Sequence, residues 1–303
     1  AGAETIYVDD VNGNDEWDGL SAVYEGGDHG PVKTIDTGLR RVNEGGSVMV
    51  ASGIYTGNDN TELEIGEGIS LKSANGPANC IIDFEYSDSY WSVSSWIEGF
   101  TFTKAGEKVM YVSGGGDFVI KNCKFESSDI EDESIIEFGR GVGEVQISDC
   151  DFIYNNIYSG RSRQACISCS GNKLTISRCR FIGNQLNGNG GTVYCDGISA
   201  VNINDCNFLY NDHTGGGFNG NVLIDDEAEA TVEGCDFKYN WLNEGGGILA
   251  AGSGEVKVID CDITNNNYLR NEDREESGGG VYIRSRSDLP SNVLIENSNI
   301  SNN

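Results

Sequence analysis

The chain has 303 residues, with 20 Lys+Arg against 48 Asp+Glu for a formal net charge of −28, and it carries 42 Gly, 10 Cys and 3 Pro. A surface this acidic repels phosphate backbones, which are bound through Lys and Arg, so nucleic acid and anionic membrane surfaces are excluded as partners. No apolar run reaches the ~18 residues of a membrane span, and glycine at about twice its usual ~7% argues against a helical protein.

Residues 1–60 read as an N-terminal cap with the first strands. The start, Ala-Gly-Ala-Glu, has the small-residue character found beside signal-peptide cleavage sites, which fits a secreted or surface-displayed chain. Residues 9–18 concentrate hard oxygen donors, and Asp9, Asp10, Asn12, Asn14, Asp15 and Asp18 are candidate Ca2+ ligands. Their spacing from Asp10 through Asn12 to Asn14 imitates an EF-hand, but Asp15 stands where that loop needs Gly and Ser21 where it needs Glu. A loop of Asx turns is the alternative reading. Farther on, Ile35, Leu39 and Val42 fall at i, i+4 and i+7 after Pro31-Val32-Lys33-Thr34, which predicts a short amphipathic helix ended by Gly45-Gly46. Covering the first coil's open edge would be its task.

Residues 61–303 read as stacked coils. Weak copies of a repeat centre on Cys80 and on Ile97/Phe100/Phe102, and strict copies follow. With φ for an apolar residue, φ-x-φ-x-x-Cys-x-φ recurs with its cysteine at Cys123, Cys150, Cys179, Cys206, Cys235 and Cys261, and a seventh copy has Ser298 instead. Cysteine-to-cysteine steps are 27, 29, 27, 29 and 26 residues, while spacing inside the motif never changes. Period-2 alternation is broken by the step of three before Cys, so each motif is two short strands with a bend between them. Three residues after the last φ stand Asn155, Asn184, Asn211, Asn240, Asn266 and Asn303, which predict a stacked asparagine ladder at a corner. A third strand opens with Gly-Gly at Gly190, Gly246 and Gly279. About nine coils result, a stack of roughly 40 Å at ~4.8 Å per rung, forming one cooperative all-β solenoid.

The N-terminal stretch Tyr7-Val8-Asp9, Gly13-Asn14-Asp15, Asp18-Gly19 and Ala51-Ser52-Gly53-Ile54-Tyr55 resembles secreted right-handed parallel β-helix proteins of the pectate-lyase-like superfamily. The later Phe-x-x-Asn segments, alternating with Gly-Gly-φ, resemble repeats of chlamydial polymorphic membrane proteins and of adhesin-like archaeal surface proteins. These resemblances imply a single-stranded right-handed parallel β-helix, and a superfamily that hosts lyases, hydrolases and adhesins alike.

Chemistry is sparser than fold. Column cysteines, with Cys166, Cys169 and Cys195 at a second strand position, are disulfide candidates between adjacent coils or, equally, buried thiols packing as small hydrophobes. Cys166-Ile167-Ser168-Cys169 has no second pair at zinc-ligand spacing. Asp196 and the pair Asp225-Asp226 offer carboxylates one coil apart, without the remaining motifs of polysaccharide hydrolases. Arg161, Arg163, Arg178 and Arg180 form the one basic cluster. Arg178 shares a column with Asp149 and Asp205, and Arg180 lies beside Asp151, as in an ion-pair ladder. Tyr154, Tyr210 and Tyr239 recur beside a corner and would either stack on sugar rings or pack on one another. Loops at 156–161, 212–215 and 267–274 leave that corner, the edge where solenoids build binding faces. The expectation is an extracellular or cell-surface structural or adhesive protein, partnered by carbohydrate, a cell-surface ligand or further copies head to tail. Its alternative is a calcium-dependent polysaccharide lyase.

Overall fold

The computed structural model describes residues 4–171, 173–197, 200–213, 220–226, 229–242, 246–252, 254–268, 279–284 and 292–303. They form three parallel sheets of eleven, ten and thirteen strands wound into one solenoid. One turn shows the path: Phe118–Lys121 in the first sheet, Lys124–Glu126 in the second, Asp129–Glu131 and Ile136–Phe138 in the third, then Glu144–Ser148 back in the first. The seven motif copies are seven successive turns, paired without register shift in the first two sheets: Phe125 opposes Phe152, which opposes Phe181, and Ile120 opposes Ile147.

Two of the three bends in a motif turn are single residues in the left-handed region, while the return from the third sheet to the first is longer. Between the first and second sheets these are Asn122, Asp149, Arg178, Asp205, Gly234, Asp260 and Asn297, with φ from 49° to 63°. Between the second and third they are Lys104, Ser127, Tyr154, Gly183, Tyr210, Tyr239, Asn265 and Asn302, with φ from 54° to 65°. A side chain in that region costs energy, so the stack must return it elsewhere. Immediately after each single-residue bend a backbone N–H turns inward, and the repeat supplies its acceptor. At the first corner Cys150, Cys179 and Cys206 each donate N–H to the sulfur of the next rung at 3.4 Å, and each thiol donates to the carbonyl two residues back. Where Ser298 replaces cysteine its Oγ accepts the Cys261 N–H at 3.1 Å, the same bond made with oxygen. At the second corner Asn184 Oδ1 accepts both the N–H and the Nδ2–H of Asn155, at 3.1 and 3.0 Å, while its own Nδ2 donates to Phe152 O and Asn211 Oδ1. The pattern continues to Asn303.

Six phenylalanines, Phe102 through Phe237, stack face to face between the corners with centroids 4.6–5.1 Å apart. Each pair adds about 1 kcal/mol beyond the area it buries. The paired glycines of the third strand have a steric reason: a Cβ on Gly190 would lie 1.9 Å from Gln164 O, so only glycine lets those rungs approach.

One expectation changes. The segments after the ladder asparagines begin as strands rather than loops: 156–161 lies inside Asn156–Ser170, and Asp212–His213 and Asn267–Tyr268 are short strands. The ladder drives this, since Gln185 N–H bonds to Asn155 O and Asp212 N–H to Asn184 O, both at 2.8 Å. Residues 214–215 and 269–274 lie outside the described residues. Of the two readings of the six column cysteines, the structure carries the free thiols, and a disulfide would remove two of their sulfurs from the corner bonds.

Helix α1 (Ile35–Arg41) packs against the first two strands of the first sheet, burying Ile35, Leu39 and neighbouring Val42. The outer edge of Thr5–Val8 is bonded by the chain itself: Tyr7 N–H donates to Gly19 O, and Val32 N–H to Tyr7 O. No helix among the described residues is long and apolar enough to cross a membrane.

Replacing Asn184 by Ala should therefore cost roughly 3–5 kcal/mol in urea unfolding, because buried donors and acceptors lose their partners together. Gln185→Ala, one position along and exposed, should stay within about 0.5 kcal/mol.

Candidate functional site

The acidic N-terminal loop spends its oxygens on the chain. Asp15 Oδ1 accepts the N–H groups of Lys33 and Thr34 at 2.8 and 2.9 Å, and its Oδ2 accepts the Thr34 hydroxyl, which itself caps helix α1. Asp9 accepts from Val11, Asn12 and the Asn12 amide, and Asn14 from Glu16 N–H. Asp18 holds Leu20 N–H with one oxygen and the His29 imidazole with the other, and that bond holds the Asp18 carboxyl below the usual range and His29 above it. Asp10 donates its N–H to Tyr55. This is a set of Asx turns. Among the described residues no three His, Cys, Asp or Glu side chains gather as a metal-holding group.

The arginines are paired. Arg178 forks onto Asp149 at 2.7 and 2.9 Å, and Arg180 onto Asp151, each one rung apart. These bonds hold Asp149 below the usual carboxylate range and both guanidinium groups above theirs. The side chains of Arg161, Arg163 and Asp226 lie outside the described residues. Cys195 opposes both Cys169 and Ile224 in register, so Asp196 and Asp225 follow on adjacent rungs. The thiols of Cys166 and Cys195 are fully buried, and desolvation pushes both up, away from reactivity.

The corner tyrosines use their faces on each other. Tyr210 and Tyr239 stack with centroids 5.2 Å apart and planes 9° from parallel. Tyr154 leans over Gly183, where a Cβ would sit 2.6 Å from its ring. All three stay exposed, and stacking covers one ring face each of Tyr210 and Tyr239.

A different feature has the dimensions of a ligand site. On the outer face of the third sheet an open groove of about 500 Å³ is lined by Glu62, Glu64, Asp88, Ser89, Tyr90 and Ser92. In-register pairing carries its floor onward: Glu64 opposes Ser92, Ser92 opposes Tyr111, and Tyr111 opposes Glu137. Lys108 stands beside the groove, over the ring of Tyr90. Its Nζ lies 3.1 Å from both Glu133 and Glu137, and 5.4 and 5.5 Å from the ring centres of Tyr90 and Tyr111. Burial would favour losing its proton, but the bonds to Glu137 and Glu133 outweigh that and hold the ammonium above the ordinary lysine range. The arrangement is a fixed cation with half-exposed aromatic and hydroxyl groups beside it, suited to binding a polar, ring-shaped ligand. Periodicity passes over these residues, since they point outward on early, irregular rungs. The signal available was a polar residue between buried apolar ones, in Trp91-Ser92-Val93, Met110-Tyr111-Val112 and Ile136-Glu137-Phe138.

Three coiled parallel sheets around one core define the class, a parallel β-helix. A family model described as a right handed beta helix region matches residues 191–303. The solved structure of pectate lyase Pel9A is similar over 99% of this chain and 80% of its own, with a TM-score of 0.58 at 19% identity. A rhamnogalacturonan lyase aligns at 13% identity and TM-score 0.40, over 96% of this chain and 87% of its own. No curated protein matches the chain in sequence. At these identities the likeness is one of fold.

If the acidic loop works through hydrogen bonds, Asp15→Ala should lose about 1–3 kcal/mol with and without chelator alike. A loss that shrinks once chelator is present would return calcium to the loop.

Proposed function

We propose that the chain is an extracellular or cell-surface β-solenoid with a structural or adhesive role, and that it binds uncharged glycan in the groove beside Lys108. The groove carries the reading: its volume suits one or two sugar rings, Tyr90 offers a half-exposed aromatic surface, and Ser89 and Ser92 offer hydroxyls. Glu62, Glu64 and Asp88 would oppose the carboxylates of a polyuronide. Secretion, and the likeness of the repeats to bacterial and archaeal surface proteins, belong to the same proposal. So does a capping role for helix α1, and so does stabilisation by divalent cations or salt, which would screen the charge of −28. Head-to-tail assembly of copies is disfavoured at the N-terminal edge of the first sheet, which Gly19 and Val32 already occupy.

The alternative is a calcium-dependent lyase, which needs a Lys or Arg free to take the proton α to a uronate carboxylate. Lys108, Arg178 and Arg180 are each held protonated by the carboxylates paired with them. A panel of neutral oligosaccharides and polyuronides separates the readings. Binding of a neutral glycan by calorimetry, weakened roughly tenfold by Tyr90→Ala, is expected. Release of unsaturated, ultraviolet-absorbing ends from a polyuronide would establish the lyase instead.

A further inference from the structure

The interior is apolar on almost every rung, and one rung departs from this. His213 takes the inward position of its short strand and opposes Leu242, in a line that Ile130, Ile157 and Leu186 occupy on earlier turns. It is fully buried, as are Thr192, Asn211 and Asn221. Hydrogen bonding fixes its state. Asn211 Nδ2 donates to Asn221 Oδ1 at 3.1 Å, so the Asn221 amide cannot be flipped without setting N–H against N–H. The Thr192 hydroxyl donates to that same oxygen at 3.3 Å, which uses its only proton. Toward His213 Nε2, 3.2 Å away, Thr192 can then only accept. His213 is accordingly the Nε2–H tautomer, with a bare lone pair on Nδ1. Among the described residues, neither that lone pair nor the buried N–H groups of Asn221 Nδ2 meet a hydrogen-bond partner.

We propose that this rung is an internal hydration site, where water donates to His213 Nδ1 and accepts from Asn221 Nδ2. Water is the small ligand able to do both. A metal ion would meet the N–H groups of Asn221, and no cluster of three metal-binding side chains stands among the described residues. An anion would face the Nδ1 lone pair. The site connects to the asparagine ladder, because Asn211 Nδ2 reaches Phe181 O, Asn240 Oδ1 and Asn221 Oδ1, whereas Asn184 Nδ2 reaches two acceptors.

The same rung is acid-sensitive. Burial pushes the His213 imidazole down to about 4, with only Asn221 acting against it and no charged group contributing; the adjacent Asp212 alternates to the other face. An unfolded histidine titrates near 6.5, so the unfolded chain takes up the proton first. The contribution of a neutral His213 is fully present above about pH 6.5 and is lost as pH falls through 4, in total by roughly 300-fold in the folding equilibrium.

A crystal structure of the intact chain that resolves ordered solvent tests the proposal. Water within hydrogen-bond distance of His213 Nδ1 and Asn221 Nδ2 is expected, and a dry rung would overturn it. In solution, 15N-histidine NMR should show the Nε2–H tautomer with a hydrogen-bonded Nδ1; the opposite tautomer, or an unbonded Nδ1, also overturns it. His213→Leu, copying Leu186 and Leu242, should flatten the acid limb of the stability profile. A folded variant with an unchanged acid limb would remove His213 from that role, while the two wild-type measurements stand whether or not the variant folds.

Discussion

The constraint on which the solenoid depends is the inward backbone N–H that follows each left-handed corner. A rung can turn through one residue only by adopting positive φ, and the next amide is then directed into an apolar interior where water cannot serve it. The repeat answers with one buried acceptor per corner, a cysteine sulfur at the first and an asparagine oxygen at the second. Because each acceptor belongs to the next rung, no turn is complete without its neighbour. That dependence makes the stack cooperative.

This accounts for the cysteines better than redox or metal chemistry does. The hydrogen bonds to Cys179 and Cys206 respectively, helped by burial, raise the thiols of Cys206 and Cys235 to about 12, and neither meets a cation that would favour thiolate. The last copy, where Ser298 makes the same bond, identifies the selected property as a compact acceptor that also donates to the carbonyl two residues back. Sulfur suits an interior position because it is less costly to bury than a hydroxyl.

What could be read from the sequence followed from which residues the stacking constrains. Inward positions must repeat, so the Phe, Cys and Asn columns are visible as fixed spacings, and their register in the structure follows directly. The Arg178 and Arg180 pairs were legible for a related reason, since outward residues at equal motif positions become neighbours one rung apart. Lys108, Glu133 and Glu137 were not. Their contacts join residues 25 and 29 positions apart across rungs whose strands lie outside the strict motif, and no repeat ties those spacings. His213 was passed over because it follows a ladder asparagine, in a segment that reads as loop and folds as strand. The acidic loop shows the opposite problem. Its composition fits both cation binding and Asx turns, and only the position of each donor decides between them.

The electrostatics of the groove follow from the same geometry. In a solenoid, outward side chains lie about 5 Å apart along a column, so a chain with 48 acidic residues must separate its carboxylates or neutralise them in place. The Arg–Asp pairs do this on the second sheet, and Lys108 does it on the third by serving two glutamates at once. A lysine so employed has no charge left over for an anionic ligand and no lone pair for proton abstraction. Its remaining contribution is to join Glu133 and Glu137 to the rings of Tyr90 and Tyr111 through one ammonium, which restrains Tyr90 at the groove's edge. A scaffold similar in fold to pectate lyase Pel9A thus carries a groove whose Glu62, Glu64 and Asp88 side chains give it a negative charge of its own.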